Sequence, residues 1–239
     1  MDKAEESQAV AEAFKEHNGS FGRRMLKVIL ENEKKIRMSE YRIRKIMKSL
    51  GLCAKYGRKR GKNVHTSKGT EQYIQENIWR QLTPEERSEL EVWSVDFTEE
   101  KIRGKKIYTC GIISVHRKIL VGYAQDSRCT AELALTALQK AFEQFGKPDM
   151  IMTDRGAQFT SHAFFDMMQK EGIVHSMSRP YTPVDNCFIE TFWKSMKVEM
   201  GKLDLLTPET YRMVADYYIY YYNHRRPHSS LGYRPPLIA

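Results

Sequence analysis

EVWSVDFTEEKIRGKKIYTCGIISVHRKILVGYA, residues 91–124, is the stretch that decides the fold class. In it Trp93, Val95 and Phe97 alternate with Ser94, Asp96 and Thr98, the period-two pattern of a strand with one buried face. Residues 107–115 and 118–124 are two further β-rich runs with only His116 and Arg117 between them, which predicts an antiparallel hairpin. Beyond them the period changes. Residues 130–145 read as an amphipathic helix, with Thr130 its cap and Gly146 its end. Pro148 leads into a strand over 150–153. A helix over 161–170, a short strand over 173–176, and helices over 185–200 and 208–222 follow. Strand, hairpin, helix, strand, helix predicts an α/β fold with a mixed sheet flanked by helices, not an alternating parallel one.

Upstream of this core, residues 1–51 read as all-helical. Val10, Ala13 and Phe14 fall at helical spacing, and residues 21–30 form a second candidate helix. Ser39 is placed to cap a third, with Glu40 in its first turn; Ile43, Ile46, Met47 and Leu50 share one face and Gly51 ends it. The opposite face carries Arg42, Arg44, Lys45 and Lys48. A helical pair ending in a basic amphipathic helix resembles a helix-turn-helix module; a small bundle with a solvated basic face has the same pattern. Residues 52–90 read as a basic linker, which includes Arg58, Lys59 and Arg60, followed by a short helical segment near Pro84. The α/β core, with its C-terminal helices and basic tail, is expected over 91–239.

Charge narrows the class of partner. The chain has 239 residues with 39 Lys and Arg against 30 Asp and Glu, a net charge of +9. Residues 41–70 hold ten of those bases and no acid, more than the whole excess. A concentrated basic stripe is the footprint of a protein that neutralises backbone phosphates. The longest apolar run, residues 217–222, is far short of the roughly 20 residues that span a bilayer, and the acidic, polar first twenty residues are unlike a secretory signal. Four scattered cysteines form no CxxC pair, which points to reduced thiols and away from a zinc site. The expected location is the cytoplasm, in association with the nucleoid, with no membrane contact.

Three carboxylates stand where the apolar pattern does not ask for charge. Asp96 is in the middle of the first strand, opposite Val95 and Phe97. Asp154 ends the 150–153 strand before Arg155 and Gly156. Glu190 lies in the helix whose apolar side is Ile189, Phe192, Trp193 and Met196. Carboxylates at the middle and end of adjacent strands, closed by a third from a helix over the sheet, offer hard oxygen ligands suited to Mg²⁺ or Mn²⁺. Two such ions about 3.5–4 Å apart activate an attacking hydroxyl and stabilise the leaving oxygen of a phosphodiester. Taken singly, each residue also reads as a solvated strand residue, a turn aspartate or a surface partner of Lys194.

The combination carries a resemblance. WSVDFT at 93–98, TDRGAQFTS at 153–161 and DNCFIETFWKSMKVE at 185–199 resemble the retroviral-integrase-type catalytic core, and most of all the second-frame product of bacterial insertion-sequence transposases of family three. Thirty-five residues lie between Asp154 and Glu190, the spacing typical of this Asp-Asp-Glu group. YYNHRRPHSSLGYRPP at 221–236 resembles the family's closing signature, and HNGSFGRRMLKVIL with MSEYRIRKIMKSLGL its helix-turn-helix-like region. The resemblance implies an RNase H-like fold, with Asp96, Asp154 and Glu190 as the catalytic, metal-binding triad for two Mg²⁺ ions, replaceable by Mn²⁺. It implies cleavage at element ends and joining of a 3′-hydroxyl to target DNA, by a homo-oligomer in a synaptic complex. A first-frame helix-turn-helix and leucine-zipper partner or fusion is also implied, since this chain has no sustained heptads. RPYTPV at 179–184 departs from the family, which has a glycine in this loop. His17, His65 and Cys53 lack the spacing of the zinc module of retroviral integrases.

Around the triad, Lys194 and Lys197 share the face of Glu190 and are expected to meet DNA, as are Asn186 and Arg155. His162 and His175 read as structural, and the tyrosine-rich run over 217–222 as packing. Two other functions draw on the same residues: a catalytically silent DNA-binding copy, and an RNase H-like nuclease acting on hybrids.

Overall fold

The computed structural model describes residues 3–55, 73–179, 182–201, 203 and 205–239. Arg58, Lys59 and Arg60 of the basic linker lie outside the described residues.

Three helices, α1 (Lys3–Glu16), α2 (Arg23–Asn32) and α3 (Glu40–Ser49), bury Val10, Ala13, Leu26, Ile29, Leu30 and Ile43 against one another. Ser39 caps α3 as its sequence predicts, its side chain accepting the Arg42 N–H. Leu50, expected on the apolar face, is exposed instead, because the helix ends at Ser49 and Gly51 turns the chain away in a left-handed conformation. A 3-10 turn (Ile78–Arg80) and the short α4 (Pro84–Glu89), closed by a Thr83/Glu86 capping box, lead into the sheet.

The sheet has five strands: β1 (Val92–Ile102), β2 (Lys105–Ser114), β3 (Leu120–Asp126), β4 (Met150–Thr153) and β5 (Val174–Met177), in the order β3-β2-β1-β4-β5. The first three are antiparallel, and β4 and β5 add in parallel on the other side of β1. The mixed sheet is therefore as the sequence predicts, with two corrections. β1 runs on to Ile102 and turns straight into β2 through Arg103 and Gly104, both at positive φ (47° and 83°). The polar run 99–101 hid this extension, because Glu99, Glu100 and Lys101 supply no apolar alternation, although the strand ends on the buried Ile102. The β2–β3 connection is also wider than two residues, spanning 115–119.

Trp93, Val95, Ile112 and Val121 face α5 (Ala131–Phe145) and the Phe164 side of α6 (His162–Glu171). Ile107, Ile113 and Leu120 face α7 (Cys187–Met200) and α8 (Pro208–His224). The helix expected from residue 185 begins at Cys187, after a 3-10 turn over Pro183–Asn186. The helical bundle meets this side of the core through His17, whose Nδ1 is 2.8 Å from the Tyr221 hydroxyl. Arg226 of the C-terminal segment is buried there, bonded to the Glu199 carboxylate of α7 at 2.7–3.0 Å and lying 5.5 Å from the Phe21 ring.

Candidate active site

The alternation of β1 sends Asp96 to the face that carries α7, the face of Ser94 and Thr98. The parallel ladder then places Asp154. Val92 pairs with Met150, Trp93 with Ile151 and Ser94 with Met152, a constant offset of 58 residues. Continued two positions, that register sets Asp154 level with Asp96 on the neighbouring strand, with strands about 4.8 Å apart. Glu190 sits in the first turn of α7, which packs across β1 and β2.

What lets α7 lie so close is the residue paired with Asp96 on the other side, Gly111 of β2. A Cβ at Gly111 would meet Trp193 Cη2 at 2.6 Å and Cζ2 at 2.7 Å. The indole therefore lies on bare backbone beside Asp96, one turn along the helix from Glu190.

The three carboxylates sense one another. Burial, followed by the charges of Asp154 and Glu190, pushes Asp96 up to about 8, against opposition from the Phe97 N–H and the Trp193 indole. Burial raises Asp154 as well, opposed by the Gly156 N–H that its Oδ1 accepts at 2.9 Å. Glu190 is raised by burial and by Asp154, although its side chain reaches the exposed edge of the site. Among the described residues, no three His, Cys, Asp or Glu side chains are closed around a single metal position. The three lie on one side of the sheet as an oxygen donor set. Cys129, nearby, is held neutral: burial and then Asp96 push its thiol up to about 11, so no thiolate competes.

The flanking residues are placed more variously. Asn186, expected at DNA, is buried: its Oδ1 accepts from Ser94 Oγ at 2.6 Å and its Nδ2 donates to the Val95 carbonyl at 3.3 Å. It ties the start of α7 to β1 beside Asp96 and faces no outer surface, a position that helix spacing alone does not reveal. Arg155 donates through Nε to the Ser178 carbonyl at 3.0 Å. Lys194 is exposed one turn beyond Glu190, and Lys197, also exposed, pairs with Glu100 at 3.2 Å. Arg44, Lys45 and Lys48 stand on the exposed face of α3, and Arg42 pairs with Glu6 of α1. His175 is structural, its Nε2 being 2.9 Å from Thr153 Oγ1, and burial lowers it to about 4. Sequence reading missed the partners of Asp185 (Asn77, Arg80 and Arg179) because they lie in segments without periodicity.

Comparison with known proteins agrees with the fold. Two family models described as Integrase core domain match residues 86–183 and 171–236, and one described as HTH-like domain matches residues 2–60. The transposase for insertion sequence element IS904 of Lactococcus lactis is 29% identical over 237 residues, 96% of this chain and 91% of that protein. Among solved structures, the HTLV-2 integrase catalytic core domain in complex with magnesium superposes with a TM-score of 0.51 at 16% identity, covering 62% of this chain and 94% of that one. A simian T-cell lymphotropic virus intasome chain gives 0.55 at 16% identity, covering 96% and 72%.

Proposed function

From the premise that this chain belongs to the bacterial insertion-sequence transposases of family three, built on an integrase core, we propose that Asp96, Asp154 and Glu190 carry its cleavage and joining of DNA. The enzyme is a polynucleotidyl transferase of the integrase class. The observation that carries the site is the β1–β4 register, which sets Asp154 beside Asp96 on the face that α7 covers with Glu190. Its donor set is oxygen only, and burial, with mutual charge at Asp96 and Glu190, raises all three acids, a crowding of carboxylates that a divalent cation would relieve, so the residues fit Mg²⁺ or Mn²⁺. Bound there, two such ions would supply activation of the attacking hydroxyl and charge stabilisation at the leaving oxygen.

The chain's own residues do the rest. Asp96 would hold the metal in its ionised form. Asp154 is held by the Gly156 N–H through Oδ1, which fixes its rotamer. Asn186 and Trp193 hold α7 against β1 and β2 so that Glu190 stays over the pair. Water first attacks a phosphorus at the element end and a 3′-oxygen leaves; that 3′-hydroxyl then attacks a phosphorus of target DNA and expels the target's 3′-oxygen, with no covalent protein–DNA intermediate. Arg44, Lys45 and Lys48, with the linker bases and Arg155, Lys194 and Lys197, are assigned to backbone phosphates. The working form is a homo-oligomer with a first-frame partner or fusion, acting on the nucleoid in the cytoplasm. Among the described residues no helix is long and apolar enough to cross a membrane.

The test uses supercoiled plasmid with Mg²⁺, Mn²⁺ or EDTA, comparing wild type with Asp154→Asn. Nicking is expected to need the metal and to vanish in the variant while plasmid binding persists. Full-strength nicking by the variant would overturn the triad.

A further inference from the structure

Beside the carboxylates lies a second polar cluster. Asp185 is buried, its side chain 2% exposed, and it gathers three segments. Its Oδ2 accepts from Asn77 Nδ2 at 2.8 Å and from the Arg179 N–H and Nε at 3.2 Å each; its Oδ1 accepts from Arg80 Nη1 at 3.2 Å. The two arginine side chains differ sharply from their anchor, being 49% and 50% exposed. Each guanidinium is therefore pinned along one edge and open along another. One carboxylate against two guanidiniums leaves a net positive charge. Burial pushes the Asp185 carboxyl up, but the Arg179 N–H groups and the Arg80 guanidinium outweigh it and keep the group ionised.

The cluster is tied to the active site from both sides. Arg179 follows Ser178, whose carbonyl takes the Arg155 side chain, and Arg155 adjoins Asp154. Asp185 precedes Asn186, which is bonded to Ser94 and Val95 beside Asp96. A lone structural ion pair would need one arginine. Two, pre-oriented by a single buried acid and open outward, match the planar, multi-donor recognition of a phosphodiester.

We propose that Arg80 and Arg179, aimed by Asp185, clamp a backbone phosphate of the DNA strand that enters the active site. The proposal rests on the transposase reading, but its test does not require chemistry. Binding of a duplex oligonucleotide is measured without metal across a salt series for wild type, Arg80→Gln, Arg179→Gln and the two Arg→Lys variants, with melting temperatures alongside. Each Gln variant is expected to flatten the slope of log K against log salt by about 0.9 and to weaken binding about tenfold. The Lys variants, which keep the charge and lose the fork, should retain the slope and recover only part of the affinity. In metal-dependent nicking the Gln variants should raise KM and leave kcat nearly unchanged. An unchanged slope in folded Gln variants, with loss confined to melting temperature or active fraction, would make the cluster purely structural and overturn the proposal. Full-strength nicking by Asp154→Asn, while the Gln variants still flatten the slope, would overturn the triad and leave the clamp standing.

Discussion

Gly111→Ala is the substitution that most directly tests how the helix-borne acid is held. The new Cβ would sit 2.6 Å from Trp193 Cη2, about 1 Å inside an ordinary carbon contact. The indole cannot swing aside, since Trp193 is buried among Phe192, Ile189 and Met196. The strain therefore moves α7 by an amount approaching 1 Å, at a cost of about 1–3 kcal/mol for overpacking, or roughly 3–10 °C in Tm for a chain of this size. Glu190 moves with the helix while Asp96 and Asp154 stay on the sheet. A misplacement of this size costs about a hundredfold in rate. Plasmid nicking in Mg²⁺ and a thermal melt, run on the same preparation, read both numbers. Phenylalanine lacks the two indole carbons that clash, so Gly111→Ala with Trp193→Phe should recover activity relative to Gly111→Ala alone. Wild-type nicking by Gly111→Ala would refute the claim that Trp193 sets the height of Glu190.

Three further outcomes follow from the same contacts. Asp96 keeps its proton up to about pH 8 in the metal-free fold but loses it near 4 when unfolded. The folded state thus binds more protons between those limits, and stability falls as pH rises through them. Melting with EDTA should drop between about pH 5 and 8, Mg²⁺ should stabilise more at the upper end, and Asp96→Asn should flatten the EDTA profile; a flat wild-type profile would refute this. Arg226→Ala leaves the Glu199 carboxylate buried without its bidentate partner, which should cost about 3–5 kcal/mol, with part recovered by adding Glu199→Gln, both read from denaturant midpoints. Asn186→Ala removes two bonds to β1 and should lower nicking far more than filter-bound DNA, with a stability loss of about 1–3 kcal/mol; equal losses in both assays would count against its positioning role.

The parts of the fold that were legible in the sequence are those where one residue decides a local outcome. Ser39 and Thr130 cap the helices that follow them, and Gly146 ends α5 at positive φ. Asp96 and Asp154 were visible as charges interrupting apolar strands. What sequence could not give was register. That Asp154 falls level with Asp96 depends on β1–β4 pairing across more than fifty residues, and no local pattern encodes an offset. The same holds for Asn186 and Asp185. Their residue types suit a helix start or a ligand contact equally well, and only the approach of Ser94, Asn77, Arg80 and Arg179 from distant segments decides between them. The 103–104 turn was missed for the opposite reason: its signal is local, but the polar run 99–101 before it reads as loop.

The ladder between β1 and β4 also says which changes in chain length this protein can absorb over evolutionary time. The offset between Asp96 and Asp154 is fixed by hydrogen bonds within the paired strands, not by the length of the excursion through β2, β3 and α5 that joins them. Residues gained or lost in the 115–119 or 127–130 loops would lengthen the detour and leave the two carboxylates side by side. A single residue inserted within β4 would do the reverse, turning Asp154 to the α5 face while every other element stayed in place. Lineages descended from such a chain should therefore vary in length between the first two acids at those loops, and hold their length within the four residues of β4.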